Sequence, residues 1–406
     1  MTIRLPMSKP LITIAQARDR VRSSVTPLGA ELVDIDHALG RVLAGDVQAQ
    51  GDVPPFPSSA MDGYAVIAGE AGRRLRVIGE SRAGAPTDRT LREGEAIRIS
   101  TGGAVPAGAT AVIPQEVVAR DGEMIQTEVV IEPGANVRQP GEDMRAGATI
   151  LSAGTRLGAV EVGAAVAAGA GAVIASRMPK VTVLCTGDEL RAPGEPLNPG
   201  EIHNSNAPML TGLARRWGAQ TAPAQRLPDD RHATEAGLEA ALENSDLLLI
   251  SGGVSVGPHD HVKPALAALA VREVFWSVSL QPGKPTWFGA RDRTFVFGLP
   301  GNPVSAVVTF SLFVVPALVA LQGASAPVPL DVEAQLGVAV PRNPVREQAV
   351  RVTLQRRDGR TVATPTGAQG SHVLSSLLGA DALAMVPAGE GELPAGSTVA
   401  LEPIAW

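Results

Sequence analysis

Between residues 179 and 323, apolar runs of strand length alternate with helix-length stretches, and no other feature constrains the fold as tightly. Strands are predicted at 181–185, 247–250, 271–276 and 294–297, and helices at 207–217, 233–242, 262–269 and 304–321. A βαβ series of this kind makes a parallel sheet with helices on both faces, and its ligands sit at the carboxyl ends of the strands.

The flanking segments have a different texture. Residues 14–22 carry helix-compatible spacing, 31–43 read as a short strand followed by a turn at Gly40, and 158–170 as an Ala/Gly-rich helix. From 49 to 147, short β-rich runs (75–78, 96–99, 111–114, 128–131) separated by Gly, Pro and Asp predict a small β domain. Beyond a linker at 324–327, strand-like runs at 332–338, 349–355, 382–387 and 398–401 predict a terminal β-barrel or sandwich. The expected division is 7–48 with 147–178, then 49–146, 179–323 and 328–406.

The 406 residues exceed what one hydrophobic core of ~250–300 residues sustains, so several domains are expected. A formal charge of −6 offers no general attraction to nucleic acid or an anionic membrane, and an anion site must be built locally. The single cysteine, Cys185, excludes an internal disulfide and a thiolate zinc cluster; at the end of an apolar strand it reads as core. His259 and His261 alternate in one loop without a third partner, so zinc is not expected. The apolar stretches 159–175 and 306–321 fall short of the ~20 residues of a membrane span and read as buried helices. A cytoplasmic protein without an export signal is expected.

Three predicted strand ends carry polar, glycine-rich loops. Strand 247–250 runs into Ser251-Gly252-Gly253-Val254-Ser255-Val256-Gly257, with Asp260 and Lys263 beyond. Glycines there let backbone N–H groups close on a phosphate or a pterin ring edge. Strand 294–297 leads to Gly298-Leu299-Pro300-Gly301-Asn302-Pro303, where Asn302 as N-cap and Pro303 at the first helical position open a helix whose N–H groups favour an anion. Strand 181–185 delivers Thr186-Gly187-Asp188-Glu189, followed by Glu201, by Asn204-Ser205-Asn206 and by Asp229-Asp230. Carboxylates gathered near Asp260 suit a Mg²⁺ ion that bridges phosphates. In the β-rich half, three more polar loops stand out: 57–65 around Asp62, 100–103, and 138–143; each alone also reads as a tight turn.

Taken in order, SAMDGYAV (59–66), STGG (100–103), GED (141–143), TGDEL (186–190), SGGVSVG (251–257), PGKP (282–285), GLPGNPVS (298–305) and TGAQGSH (366–372) resemble the MoeA family of molybdopterin molybdenumtransferases. The resemblance implies a multidomain α/β plus β protein. Its parts are a MoaB/Mog-like three-layer α/β molybdopterin-binding domain, an N-terminal elongated helical region with an inserted β domain, and a C-terminal β-barrel. It further implies insertion of molybdenum from molybdate into adenylylated molybdopterin (molybdopterin-AMP), with release of AMP and a need for Mg²⁺. The implied enzyme is a homodimer whose cleft joins the α/β domain of one subunit to N-terminal residues of the other. Transient partners are expected in the adenylylating enzyme and in apo-molybdoenzymes.

Matching positions carry implied roles. Glu189, Asp260 and either Asp229 or Asp230 hold the cation; Gly252, Gly253, Ser255 and Gly257, with Pro300, Gly301 and Asn302, form the cofactor cradle. Lys284 and Arg138 supply countercharge, Asp62, Thr101 and Asp143 activate water or position molybdate, and Arg351 and Ser371 match molybdate or pterin contacts. Two positions depart from the family, which commonly carries lysine where this chain has Ser277 and Gln281; Ser277 cannot place positive charge beside an oxyanion. Three readings compete with insertion. Molybdopterin adenylylation is disfavoured by the extra β domains and SAMDGYAV, and a non-catalytic molybdopterin-binding or scaffold protein by the lack of a disordered linker or partner motif. A nicotinamide-nucleotide deamidase would need neither SAMDGYAV nor the GED loop.

Overall fold

A computed structural model describes residues 11–254, 261–325 and 332–404. The chain divides into two compact units, one of residues 1–31, 40–42 and 176–406, the other of 32–39 and 43–175.

In the first unit a sheet runs in the order Gln220–Thr221, Lys180–Thr186, Leu247–Ser251, Thr294–Leu299, Trp287–Arg291, Arg272–Trp276. The first four strands are parallel, as the βαβ pattern predicts. The last two are antiparallel, so the sheet is mixed rather than wholly parallel. The cause is a tight hairpin: Trp287–Arg291 turns through Asp292, at φ 53°, straight into Thr294–Leu299, with no room for a crossover helix.

Alternate residues of each central strand point to opposite faces. Val183, Leu249 and Phe297 pack with Leu210 and Val304 from helices Asn206–Arg216 and Pro303–Leu321. On the other face Leu184, Leu248, Ile250 and Val296 pack with Leu238 and Ala265 from helices Arg231–Asn244 and Val262–Ala268. Helix Pro303–Leu321 buries 83% of its most apolar stretch, so its hydrophobicity serves this core, as expected for 306–321. Its middle, Phe310–Val314, winds as a π turn. Pro316 has no N–H to offer the Leu312 carbonyl four residues back, and the Arg18 side chain of helix Ile14–Ser24 donates to that oxygen instead, at 3.1 Å.

The C-terminal strands close on themselves. Glu347–Arg357, Arg360–Pro365, Glu333–Leu336, Thr398–Pro403 and Ala382–Val386 pair in that order, and the last returns to the first. A five-stranded barrel is therefore the outcome, filled by small and β-branched residues such as Ala334, Val352, Ala363 and Ala384.

The second unit holds a six-stranded sheet in the order Ala111–Pro114, Gly63–Val66, Glu95–Ile99, Arg74–Ser81, Met124–Thr127, Val118–Asp121. The strand expected at 128–131 lies instead at Met124–Thr127. Asp121 pairs with Met124, so the strands meet in a two-residue turn, Gly122-Glu123, and Gly122 at φ 62° supplies the left-handed first position that sets the register. Nor is 159–175 a buried helix: the helix is Ala159–Ala167, it buries Ala165 alone, Val160 is 80% exposed, and Ala172–Ser176 is a strand. Small side chains lose little by facing water, so composition does not orient such a segment.

Candidate active site

Three strand-end loops of the first unit converge on one cleft of about 590 Å³, with Thr186, Glu189, Asn206, Asp229, Gly252 and Asn302 among its walls. The glycines answer to close approach. Gly252 (φ 91°) and Gly253 (φ 63°) hold left-handed backbone, and a methyl group on Gly252 would stand 2.8 Å from Thr186 Oγ1. The Gly252 N–H donates to the Leu299 carbonyl at 3.1 Å. This residue thus ties two loops together, and what it gives the cleft is the missing side chain rather than a free amide. Ser255, Gly257 and Asp260 lie outside the described residues, as does His259.

Gly301 lines the cleft and Pro300 is buried. Asn302 takes the N-cap position and Pro303 the first helical one, as predicted, but the Asn302 side chain does not cap. Its Nδ2 donates to Ser371 Oγ at 3.0 Å, and the Ser371 carbonyl accepts from the Val304 N–H at 3.2 Å. One amide expected to favour an anion therefore has a protein partner, brought in by a loop some seventy residues further along the chain.

The acids separate by what already holds them. Glu189 and Asp229 both line the cleft and are exposed. Asp230 caps helix Arg231–Asn244 through the Ala233 N–H at 2.8 Å. Glu201 is held by the Asn198 N–H and by Arg191, which keep its carboxyl below the usual range. Among the described residues no three metal-ligating side chains cluster. The Glu189–Asp229 pair still fits Mg²⁺, which takes one or two protein carboxylates and completes its shell with phosphate oxygens and water.

Asn206 is singled out by the sequence only within the string Asn204-Ser205-Asn206 and is given no role there. It is 8% exposed, and its Nδ2 donates to Ser251 Oγ at 2.8 Å and to the Gly301 carbonyl at 2.7 Å, joining all three loops. The only signal for it is an amide in the first turn of an otherwise apolar helix face. Cys185 sits in the core as expected, and burial pushes its thiol pKa up against a contact from Asn204.

Lys284 is exposed, and the Lys263 ammonium lies 4.0 Å over the Trp276 ring. Ser277 is buried with φ 68°, and Gln281 accepts a hydrogen bond from Asn343. Arg351 is 1% exposed and donates to Ser376 Oγ and to the carbonyls of Ala368 and Gly370; burial brings its pKa down to about 10.

The remaining predicted residues belong to the second unit, which gathers three polar loops of its own. The Ser59 N–H donates to the Gly103 carbonyl and the Gly102 N–H to the Ser59 carbonyl, while Val137–Arg138 pairs with Ser58–Ser59. The Asp143 N–H binds the Val53 carbonyl, and Arg138 is exposed. Asp62 Oδ1 accepts from the Thr101 N–H at 2.7 Å and from Thr101 Oγ1 at 3.0 Å.

These two bonds favour the carboxylate form and lower the Asp62 pKa, the backbone bond most. Their stabilisation is present above the unfolded carboxylate pKa of about 3.9 and is lost as pH falls through the lower folded value. Asp62 is thus expected to titrate by carbon NMR below the ordinary aspartate range, and Thr101→Ala to raise the midpoint only part of the way. A midpoint at or above the ordinary value would show that these bonds do not set it.

Family models match in order along the chain: the MoeA N-terminal region (domain I and II) over residues 12–169, a probable molybdopterin binding domain over 182–320, and the MoeA C-terminal region (domain IV) over 333–404. The molybdopterin molybdenumtransferase of Haemophilus influenzae is 33% identical over 97% of this chain and 98% of its own. Molybdopterin molybdenumtransferase 2 of Mycobacterium tuberculosis is 34% identical over 90% and 93%. The crystal structure of the molybdopterin biosynthesis MoeA protein from Pyrococcus horikoshii OT3 matches with a TM-score of 0.81 at 31% identity, covering 97% of this chain and all of that one. With all three regions matched in order and relatives aligned nearly end to end, the chain belongs to the MoeA family.

Proposed function

We propose that this protein is a molybdopterin molybdenumtransferase: it moves molybdenum from molybdate onto the dithiolene of adenylylated molybdopterin and releases AMP. The observation that carries the reading is the convergence of three strand-end loops on one cleft with two uncommitted carboxylates, Glu189 and Asp229, at its wall. Glu189 and Asp229 would hold a Mg²⁺ ion, whose chemistry is to neutralise phosphate charge as the phosphoanhydride breaks. The glycines at 252 and 253 let the nucleotide lie against backbone, and Lys284 supplies countercharge. Asp62, held ionised by Thr101, orients water or molybdate together with Asp143 and Arg138.

The direct test is AMP release from molybdopterin-AMP at low molybdate concentration. Release that depends on molybdate supports transfer; binding without release overturns it.

The enzyme is proposed to be a cytoplasmic homodimer in which the Asp62 group of one subunit serves the cleft of its partner. A mixture of inactive Asp62→Ala and Glu189→Ala proteins, refolded or exchanged together, is then expected to recover about a quarter of wild-type activity. Half of the dimers are mixed, and each of these has one intact site. No recovery would assign both residues to one subunit's site.

A further inference from the structure

We infer that Arg191 is a positioning residue for the cation site: it fixes the backbone on both sides of Glu189, so that this carboxylate is presented from a loop that cannot drift. The inference rests on the transferase reading for its kinetic consequences, though not for its geometry. Arg191 Nη1 donates to the Asp188 carbonyl at 2.8 Å and to the Leu190 carbonyl at 3.0 Å, on the two residues that flank Glu189. The Glu189 carbonyl itself accepts from the Ile202 N–H at 2.9 Å. Three consecutive carbonyls are thus held, while the Glu189 side chain is left exposed in the cleft.

The other arm of the guanidinium is anchored in turn. Nη2 pairs with Glu201 Oε1, and Glu201 Oε2 accepts from the Asn198 N–H at 2.8 Å and from Asn198 Nδ2 at 3.1 Å. The pair is half-buried, its side chains 31% and 13% exposed. The Arg191 carbonyl accepts from the Asn204 N–H at 2.9 Å, and Asn204 Oδ1 receives the Ala207 N–H at 3.0 Å, so the framework runs on into helix Asn206–Arg216. Such support matters for Mg²⁺, which demands near-octahedral geometry and is bound more weakly when the groups behind its ligands are lost. Glu201 has a second effect. It cancels a guanidinium charge that would otherwise stand two residues from Glu189 and repel the ion.

Charge and geometry predict opposite signs for the same substitution. If Arg191 acted only through its charge, Arg191→Met would remove a cation, leave Glu201 unpaired and tighten Mg²⁺ binding. If it acts by holding the loop, the same variant frees Glu189 and weakens binding. The Mg²⁺ concentration for half-maximal AMP release is expected to rise about tenfold in Arg191→Met, with kcat at saturating Mg²⁺ changed less than about threefold. Arg191→Lys should show most of this defect, because an ammonium cannot span two carbonyls and a carboxylate as the planar fork does. Hydrogen exchange at the Ile202 amide should speed up in both variants. Glu201→Gln is expected to weaken Mg²⁺ as well and to add little on top of Arg191→Met, since the two side chains act through one contact.

A fall in the half-saturating Mg²⁺ concentration in Arg191→Met would overturn the inference. So would full activity of Arg191→Lys at low Mg²⁺, or a loss of kcat that no Mg²⁺ concentration repairs, which would make the role one of stability alone. If the wild-type protein releases no AMP, the transferase reading fails, and Ile202 exchange in the ligand-free variants still decides whether Arg191 holds the loop: faster exchange supports it, unchanged exchange overturns it. Should Arg191→Met not fold, Arg191→Lys carries the test.

Discussion

Gly63→Ala is expected to destabilise the second unit by about 3 kcal/mol, near the upper end of what overpacking costs. Gly63 opens the strand Gly63–Val66, which lies between Glu95–Ile99 and Ala111–Pro114. A methyl group there would overlap the Ile113 carbonyl oxygen and stand 3.0 Å from Pro114 Cα. Backbone on the neighbouring strand cannot rotate away as a side chain can, so the sheet itself must open. Gly51→Ala, with nothing within 4 Å of the added carbon, is the matched control and should be close to neutral.

Because a chain with two compact units need not unfold in one step, the measurement is hydrogen exchange of the Gly63–Val66 and Ala111–Ile113 amides rather than a single melting point. Asp62 precedes Gly63, so activity should fall as well. Unchanged exchange in Gly63→Ala would mean that the strands accommodate a Cβ, and that this glycine in SAMDGYAV has another purpose.

The second large effect separates the adjacent acids at 229 and 230. Glu189→Ala and Asp229→Ala are each expected to lower kcat/KM about 100-fold, the scale on which loss of metal-based charge stabilisation is felt. The double variant should fall well short of the product of the two, since both carboxylates serve one cation. Asp230→Ala should behave differently. It removes the cap on the Ala233 N–H and should cost about 1 kcal/mol of stability with activity largely kept. Varying Mg²⁺ checks the assignment: the Asp229→Ala defect should shrink as Mg²⁺ is raised, and the Asp230→Ala protein should not respond. Equal activity losses at both positions would return Asp230 to the cation site.

Much of this site was legible before any coordinates. The string Thr186-Gly187-Asp188-Glu189 follows an apolar strand, Gly252 and Gly253 follow another, and both strand ends do open on the cleft. Those inferences worked because strand periodicity and glycine placement are local properties, decided within a few residues. Weak or competing local signals mislead. The strand Trp287–Arg291 directly follows the Pro282–Pro285 turn and carries no alternation of its own, and the Gly122-Glu123 turn overrides the apolar run at 128–131.

By itself the sequence determined the order of the motifs, the identity of the loops at the strand ends, the apolar helix of the core and the residue types available for chemistry. Tertiary structure decided which of those residues are free to act. Asp229 is left open while Asp230 is committed to a helix end, Asn302 reaches Ser371 instead of capping its own helix, and Arg351 donates to Ser376 and to two loop carbonyls. Barrel closure by the return of Ala382–Val386 to Glu347–Arg357 belongs with them. The physical reason is common to all four. A hydrogen-bonding group takes whichever partner packing brings within about 3 Å, and the partner lies on the same element or on one many residues away. Composition and periodicity carry no record of that choice.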